Sequence, residues 1–358
     1  MSDLDARRDD PLFALAGLGV PIEGHDDAHA LGPPAAQAGQ QPGHSASVAA
    51  ASDLVEKVVA VNEQQGDLLE SGISVHQTGR PRLATIDRVL LLVDLDGVVY
   101  RGPEPVAGMP ELLSRREAAG DIIVYVTNNS RWHRTEYETR LRSMGAPVES
   151  DRIVTSARGT ALALARAPQP PRLALVFGGP GLARELEDAG LATVPCSREG
   201  LENGPDTVVV GIDFDLSHER LSVAADALRS GSYFAVTNRD PIFPVPGRLM
   251  AGAGAIVAAL VEASGRQPDL VIGKPEPGLL REAAAVAGLP VERAVVIGDG
   301  LGTDILAAHR VGARSVLVLT GVSTAAMAAD LDPALQPTAV ASGPGDLEAI
   351  LDGLAQAD

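Results

Sequence analysis

Apolar residues in this chain fall into short unbroken runs, separated by longer stretches of helical period. The runs cover residues 89–93, 122–126, 173–177, 207–212, 233–237, 270–274, 294–297 and 315–319. A short apolar run closed by glycine or polar residues reads as a strand buried on both faces of a parallel sheet. The stretches between them, at 110–119, 135–144, 181–189, 217–229, 252–264, 277–288 and 303–310, read as helices, several of them stopped by glycine. A last helix is expected at 347–354, after the breaker Gly343-Pro344-Gly345. Strand and helix in alternation predict an α/β fold with a parallel sheet and right-handed crossovers. The pattern restarts near residue 165, so 165–268 reads as a second α/β unit inserted into the first. Residues 86–164 and 269–345 make up the main domain, with the run at 270–274 returning to its sheet.

Residues 1–85 break this rhythm. The stretch 32–43 is low in complexity and rich in Gly, Pro, Ala and Gln, too poor in apolar surface to offset the entropy of ordering. The extension is therefore expected to be largely disordered. Within it, 52–70 carries a partial apolar stripe (Leu54, Val55, Val58, Val61, Leu68, Leu69) behind Ser52 as a cap. That stretch reads as a helix, either docked or solvated, and Gly79-Arg80-Pro81 reads as a linker.

Composition narrows the function. The chain has 358 residues, about two domains by size, with 45% apolar residues to build a core. The net charge of −18 argues against nucleic acid and against an anionic membrane surface, both of which need a basic face. A single cysteine, Cys196, rules out an intrachain disulfide and suits a reducing, cytoplasmic compartment. No apolar run is long enough to span a bilayer, and the first residues lack the basic-then-apolar order of a secretory signal.

Four strand ends carry chemistry. They are Asp94-Leu95-Asp96-Gly97, Thr127-Asn128-Asn129, Gly273-Lys274-Pro275 and Gly298-Asp299-Gly300-Leu301-Gly302-Thr303-Asp304. Ligand sites in open α/β sheets lie beyond the carboxyl ends of strands. Gathered at one sheet edge, these stretches supply several carboxylates, one lysine, a hydroxyl and free amides. That set suits a phosphoryl group with a hard cation such as Mg2+, which takes oxygen ligands. The lysine would offset phosphate charge, while the threonine and helix N-terminal amides would hold its oxygens.

These motifs, in this order and with an insertion between the second and third, resemble the haloacid dehalogenase superfamily. The forms Asp94-Leu95-Asp96-Gly97-Val98-Val99-Tyr100 and Thr127-Asn128-Asn129-Ser130 are similar to phosphatases of the NagD and nitrophenyl phosphatase type. The resemblance spans residues 86–340. It implies a Rossmann-like core with an α/β cap at 165–268, and Mg2+-dependent hydrolysis of a small phosphate monoester through an aspartyl-phosphate. Asp94 would be the nucleophile. Asp96 would protonate the leaving alcohol and then activate water. Thr127 and the amide of Asn128 would bind the phosphoryl group, with Lys274 neutralising it. Mg2+ would be held by Asp94, the carbonyl of Asp96 and Asp299, with Asp304 in or near the second shell. In the cap, Asn238, Arg239 and Asp240 would meet the substrate, and Arg131, Trp132 and His133 would line the entrance. Gly300 and Gly302 depart from the family's usual larger polar residues and are expected to loosen the metal loop. Glycerol 3-phosphate is the first substrate expected, ahead of phosphoglycolate, a sugar phosphate or a nucleoside monophosphate, and a homodimer is allowed. The alternatives are a non-catalytic metabolite-binding protein on the same scaffold and a phosphotransferase.

Overall fold

The computed structural model describes residues 88–245 and 248–356. The extension 1–85, with the helix expected at 52–70, lies outside the described residues. Apart from the two-residue antiparallel pair Tyr100–Arg101 and Glu104–Pro105, the strands in chain order are β1 (Leu90–Asp94), β2 (Ile122–Thr127), β3 (Ile153–Thr155), β4 (Ala174–Phe177), β5 (Thr193–Pro195), β6 (Thr207–Val210) and β7 (Tyr233–Val236). There follow β8 (Ile242–Val245), β9 (Arg248–Ala251), β10 (Leu270–Val271), β11 (Ala294–Gly298), β12 (Arg314–Val318) and β13 (Ala339–Ala341). The longer helices are α1 (Met109–Ala118), α2 (Arg134–Ser143), α3 (Ser156–Ala165), α4 (Pro180–Asp188), α5 (His218–Arg229), α6 (Ala253–Ser264), α7 (Gly278–Ala287), α8 (Leu306–Val311) and α9 (Pro344–Gln356).

The first sheet is six-stranded, ordered β13-β12-β11-β1-β2-β3, and every pairing is parallel. Its central strand shows why the apolar run is unbroken. Leu91 and Val93 point into one core with α1 and α9, whereas Leu90 and Leu92 point into another with α7 and α8. Both faces are covered, so no position in β1 can be polar until the strand ends at Asp94. Truncating Leu92 to alanine would cost about 2–5 kcal/mol. The chain runs from β1 to β2 and β3 on one side and returns through β11 to β13 on the other. The order therefore reverses beside β1, the crevice where ligands enter such sheets.

The second sheet is five-stranded, ordered β10-β7-β6-β4-β5, and again all parallel. It is filled on one face against α5 and α6 and on the other against α3 and α4. Leu270 and Val271 pair here with Ala235 and Val236. This corrects the expectation that the run at 270–274 returns to the first sheet. A fully apolar run shows burial but not which neighbour it pairs with, so pattern alone could not choose the sheet. The proline-rich stretch before α6 is the antiparallel hairpin β8-β9. Among the described residues no helix is long and apolar enough to cross a membrane.

Candidate active site

The four strand-end stretches do meet. Asp94 closes β1, Thr127 closes β2, Asp299 follows β11, and the loop after β10 carries Lys274 between them. Lys274 is 4% exposed and its three donors are all engaged. Its Nζ donates to Asp94 Oδ1 at 2.6 Å, Asp304 Oδ1 at 2.5 Å and the Val126 carbonyl at 3.4 Å. Carboxylate oxygens of Asp94, Asp299 and Asp304 lie within 4.8 Å of one another. Three acids against one ammonium leave an excess of two negative charges. Burial and repulsion from Asp304 and Asp299 hold Asp94 well above the carboxylate range, although Lys274 opposes them. Asp299 is pushed up to about 6, first by burial and then by Asp304. Burial pulls Lys274 down, but Asp304 and Asp94 more than reverse this and its pKa is raised. An all-oxygen donor set with two uncompensated charges fits a hard divalent cation. Asp304 pairs directly with Lys274.

Asp96 sits on the turn after β1. Gly97 adopts φ 78°, a conformation open to glycine, and the amides of Val99 and Tyr100 return to the Leu95 carbonyl. The Asp96 side chain opens onto the cleft, yet crowding by surrounding protein pushes its carboxyl up to about 6. Arg140 and the Tyr100 hydroxyl pull the other way. Tyr100 Oη donates to Asp96 Oδ2 over a long 3.4 Å, and the Arg140 guanidinium lies 3.7 Å from the centre of the Tyr100 ring.

The loop after β2 is tied to the second unit. Asn128 Nδ2 donates to both Asp240 oxygens at 3.1 Å and to the Lys274 carbonyl at 2.8 Å. Its own carbonyl accepts from Asn238 Nδ2 at 2.8 Å and from the Ser156 hydroxyl. Thr127 is buried, with Oγ1 accepting the Asn129 amide at 3.2 Å. Asn238 is therefore a buried brace on the main chain of this loop, not the open substrate contact expected. Asp240 orients Asn128. Of the three cap residues, Arg239 alone is exposed. A cavity of about 200 Å3 lies beside Lys274, lined among others by Arg239, Asp240, Glu276, Gly302 and Thr303.

The residues expected at the entrance do other work. His133 is 2% exposed and caps α2, accepting the Thr135 amide while Glu136 returns to the His133 amide. It lies with Glu185 and Asp188 of α4 in a group that could hold a cation, but the Arg134 guanidinium already pairs with both acids. Trp132 packs partly buried against the first core, with Arg131 over its ring. In the loop expected to bind metal, Leu301–Ile305 forms a π-helical turn. A Cβ on Gly300 would meet the Thr303 hydroxyl, a side-chain atom that can turn away, and one on Gly302 would meet nothing within 4 Å.

Sequence reasoning did not find Tyr100, Arg140, Ser156 or the 320–323 loop. Tyr100 alone left a signal, as the polar end of its motif four residues beyond Asp96.

Comparison with known proteins agrees with this arrangement. Residues 91–192 match the family model described as haloacid dehalogenase-like hydrolase, and residues 271–347 match one described as HAD-hydrolase-like. Glycerol-3-phosphate phosphatase of Homo sapiens is 39% identical over 266 residues, covering 68% of this chain and 81% of the relative. D-glycerol 3-phosphate phosphatase of Mycobacterium tuberculosis is 37% identical over 248 residues, covering 69% of this chain and 67% of the relative. A crystal structure of glycerol phosphate phosphatase from the same organism, in complex with magnesium, superposes with a TM-score of 0.66 at 35% identity, covering 73% of this chain and 76% of the other.

Proposed function

The chain belongs to the haloacid dehalogenase-like hydrolases, and within that family we propose that it is a Mg2+-dependent phosphatase of glycerol 3-phosphate, working through Asp94. The observation that carries the reading is Lys274 Nζ bridging Asp94 and Asp304, since Lys274 and Asp94 stand 180 residues apart along the chain. A carboxylate attacking a phosphate ester meets like-charge repulsion, and this ammonium lies where it relieves that repulsion.

In the first step an Asp94 oxygen forms a bond to phosphorus and the bond to the alcohol oxygen breaks. Asp96, held protonated to about pH 6, gives its proton to the departing oxygen. In the second step the Asp96 carboxylate takes a proton from water as that water attacks phosphorus. The Asp94–phosphorus bond breaks, releasing inorganic phosphate and restoring Asp94. Splitting one displacement in two lowers each barrier. Thr127 and the Asn128 amide hold the phosphoryl oxygens. Asp94, the Asp96 carbonyl and Asp299 would hold Mg2+, with Asp304 beside them; when bound, the ion neutralises charge on the phosphoryl oxygens.

Glycerol 3-phosphate is the substrate proposed because two relatives carry that activity in their names. The cavity of about 200 Å3 beside Lys274 has Arg239, Asp240 and Glu276 in its lining and is of a size for a short ester. The test is phosphate release from a set of phosphorylated metabolites by purified protein with Mg2+. The expected result is highest kcat/KM for glycerol 3-phosphate. A better phosphoglycolate or sugar phosphate would replace the substrate, and no turnover of any ester would reject the phosphatase reading.

A further inference from the structure

Residues 320–323 leave the end of β12, the strand beside β11, and so arrive next to Asp299 at the same sheet edge. This loop makes three hydrogen bonds, each to a different part of the site. The Thr320 hydroxyl donates to the Gly97 carbonyl at 2.6 Å, on the turn that carries Asp96. The Val322 amide donates to Asp299 Oδ2 at 2.8 Å. The Ser323 hydroxyl accepts from the Leu301 amide at 3.2 Å, at the start of the turn that carries Asp304. Gly321 lies between the first two, and a Cβ there would overlap the Asp299 carboxylate. A Cβ on Gly97 would meet Asp299 and come within 3.0 Å of the Gly321 backbone. The turn after β1, the Asp299 carboxylate and the 320–323 loop therefore touch through glycines with no side chain between them. The Val322 side chain is 78% exposed, so its contribution to the site is its amide alone.

We propose that Thr320–Ser323 is a positioning element of the active site, with the Val322 amide setting Asp299 for a divalent cation and Thr320 fixing the turn that carries Asp96. This rests on the phosphatase reading above. A carboxylate whose rotation is set by a main-chain N–H needs no reordering when a cation arrives, and outer-shell partners of this kind are worth roughly 10–100-fold in metal affinity. Thr320 holds the Gly97 carbonyl, hence the direction in which Asp96 projects, and its loss should lower turnover even when Mg2+ is saturating.

The test uses the full chain and Mg2+ alone as probe. Calorimetric titration gives the Mg2+ Kd, and nitrophenyl phosphate hydrolysis gives kcat and KM. Val322→Pro removes the amide donor and is expected to raise the Mg2+ Kd by roughly 10–100-fold. Val322→Ala keeps the donor and is expected to retain wild-type metal affinity. Gly321→Ala crowds Asp299 directly, and is expected to weaken Mg2+ binding likewise should the proline variant fail to fold. Thr320→Val is expected to lower kcat at saturating Mg2+, and Thr320→Ser to restore it. Wild-type metal affinity in both Val322→Pro and Gly321→Ala overturns the assignment, as does Val322→Ala weakening binding as much as proline. Equal kcat in Thr320→Val and Thr320→Ser overturns the second half. Wild-type protein that neither binds Mg2+ nor turns over an ester overturns the phosphatase reading itself.

Discussion

Replacing Lys274 with methionine tests the charge balance on which the site depends. The substitution keeps most of the volume and removes one buried positive charge that touches two carboxylates, at 2.6 and 2.5 Å. At an effective dielectric of about 20, each contact attracts by about 6 kcal/mol. Desolvation of the ammonium offsets much of this, and removing one partner of a buried pair typically costs about 3–5 kcal/mol net. If that loss falls on the transition state, at about 1.4 kcal/mol per decade, kcat/KM drops by about two to four decades. The assay is nitrophenolate release at saturating Mg2+, beside a thermal melt of the same sample. Stability should respond to pH in a defined sense. Without the ammonium, Asp94 faces the Asp304 and Asp299 carboxylates unopposed, so its folded-state pKa, already raised by burial, rises further above the unfolded value. A group raised in this way contributes stability while protonated, and loses it as pH increases through its folded pKa. The variant should therefore melt closest to wild type in acid and fall behind it toward neutrality, with Mg2+ recovering part of the gap. A rate loss under about tenfold, or a stability deficit that grows on acidification, would refute the electrostatic account.

Asp94→Asn should reduce turnover by at least roughly three decades while the melt is preserved, and substantial residual hydrolysis would reject Asp94 as nucleophile. In wild-type protein stripped of divalent metal, the Asp299 carboxyl raised to about 6 predicts stability that declines as pH rises from about 4 through 6. The decline attributable to Asp299 is on the order of 3 kcal/mol, and added Mg2+ should flatten the profile; a melt that rises across the same window would contradict it. Tyr100→Phe should slow glycerol 3-phosphate hydrolysis far more than nitrophenyl phosphate hydrolysis, because nitrophenolate leaves without a proton from Asp96. Equal slowing of both esters would place its effect on the second step, in which Asp96 takes the proton from water for either ester, and unchanged turnover of both would show that Tyr100 does not act through Asp96. Asp240→Ala should depress turnover of every ester, because it frees Asn128; loss confined to one substrate would show that Asp240 acts instead through its place in the cavity wall.

The parts of this molecule that could be read in advance share one property: they depend on residue type at a strand end. Asp94, Thr127 and Asp299 were legible because a strand covered on both faces admits no polar side chain until its last residue, so the first carboxylate or hydroxyl marks where the strand reaches the crevice. Lys274 was legible for the complementary reason that a lone lysine follows an apolar run. Pairing was not legible, because the apolar pair Leu270–Val271 serves either sheet equally well as a pattern. Nor was anything that works through the main chain. Asn238 looked like a substrate contact because its type is polar and its place is a strand end, but what it meets is the carbonyl of Asn128. Val322 looked like nothing, because an amide donor is common to every residue except proline. Gly321 gave no sign either, although a Cβ there would overlap the Asp299 carboxylate. The chemistry of this site is thus written in side chains, whereas its geometry is held by backbone groups and absent side chains. Substitutions chosen by residue type alone would reach the first and miss the second.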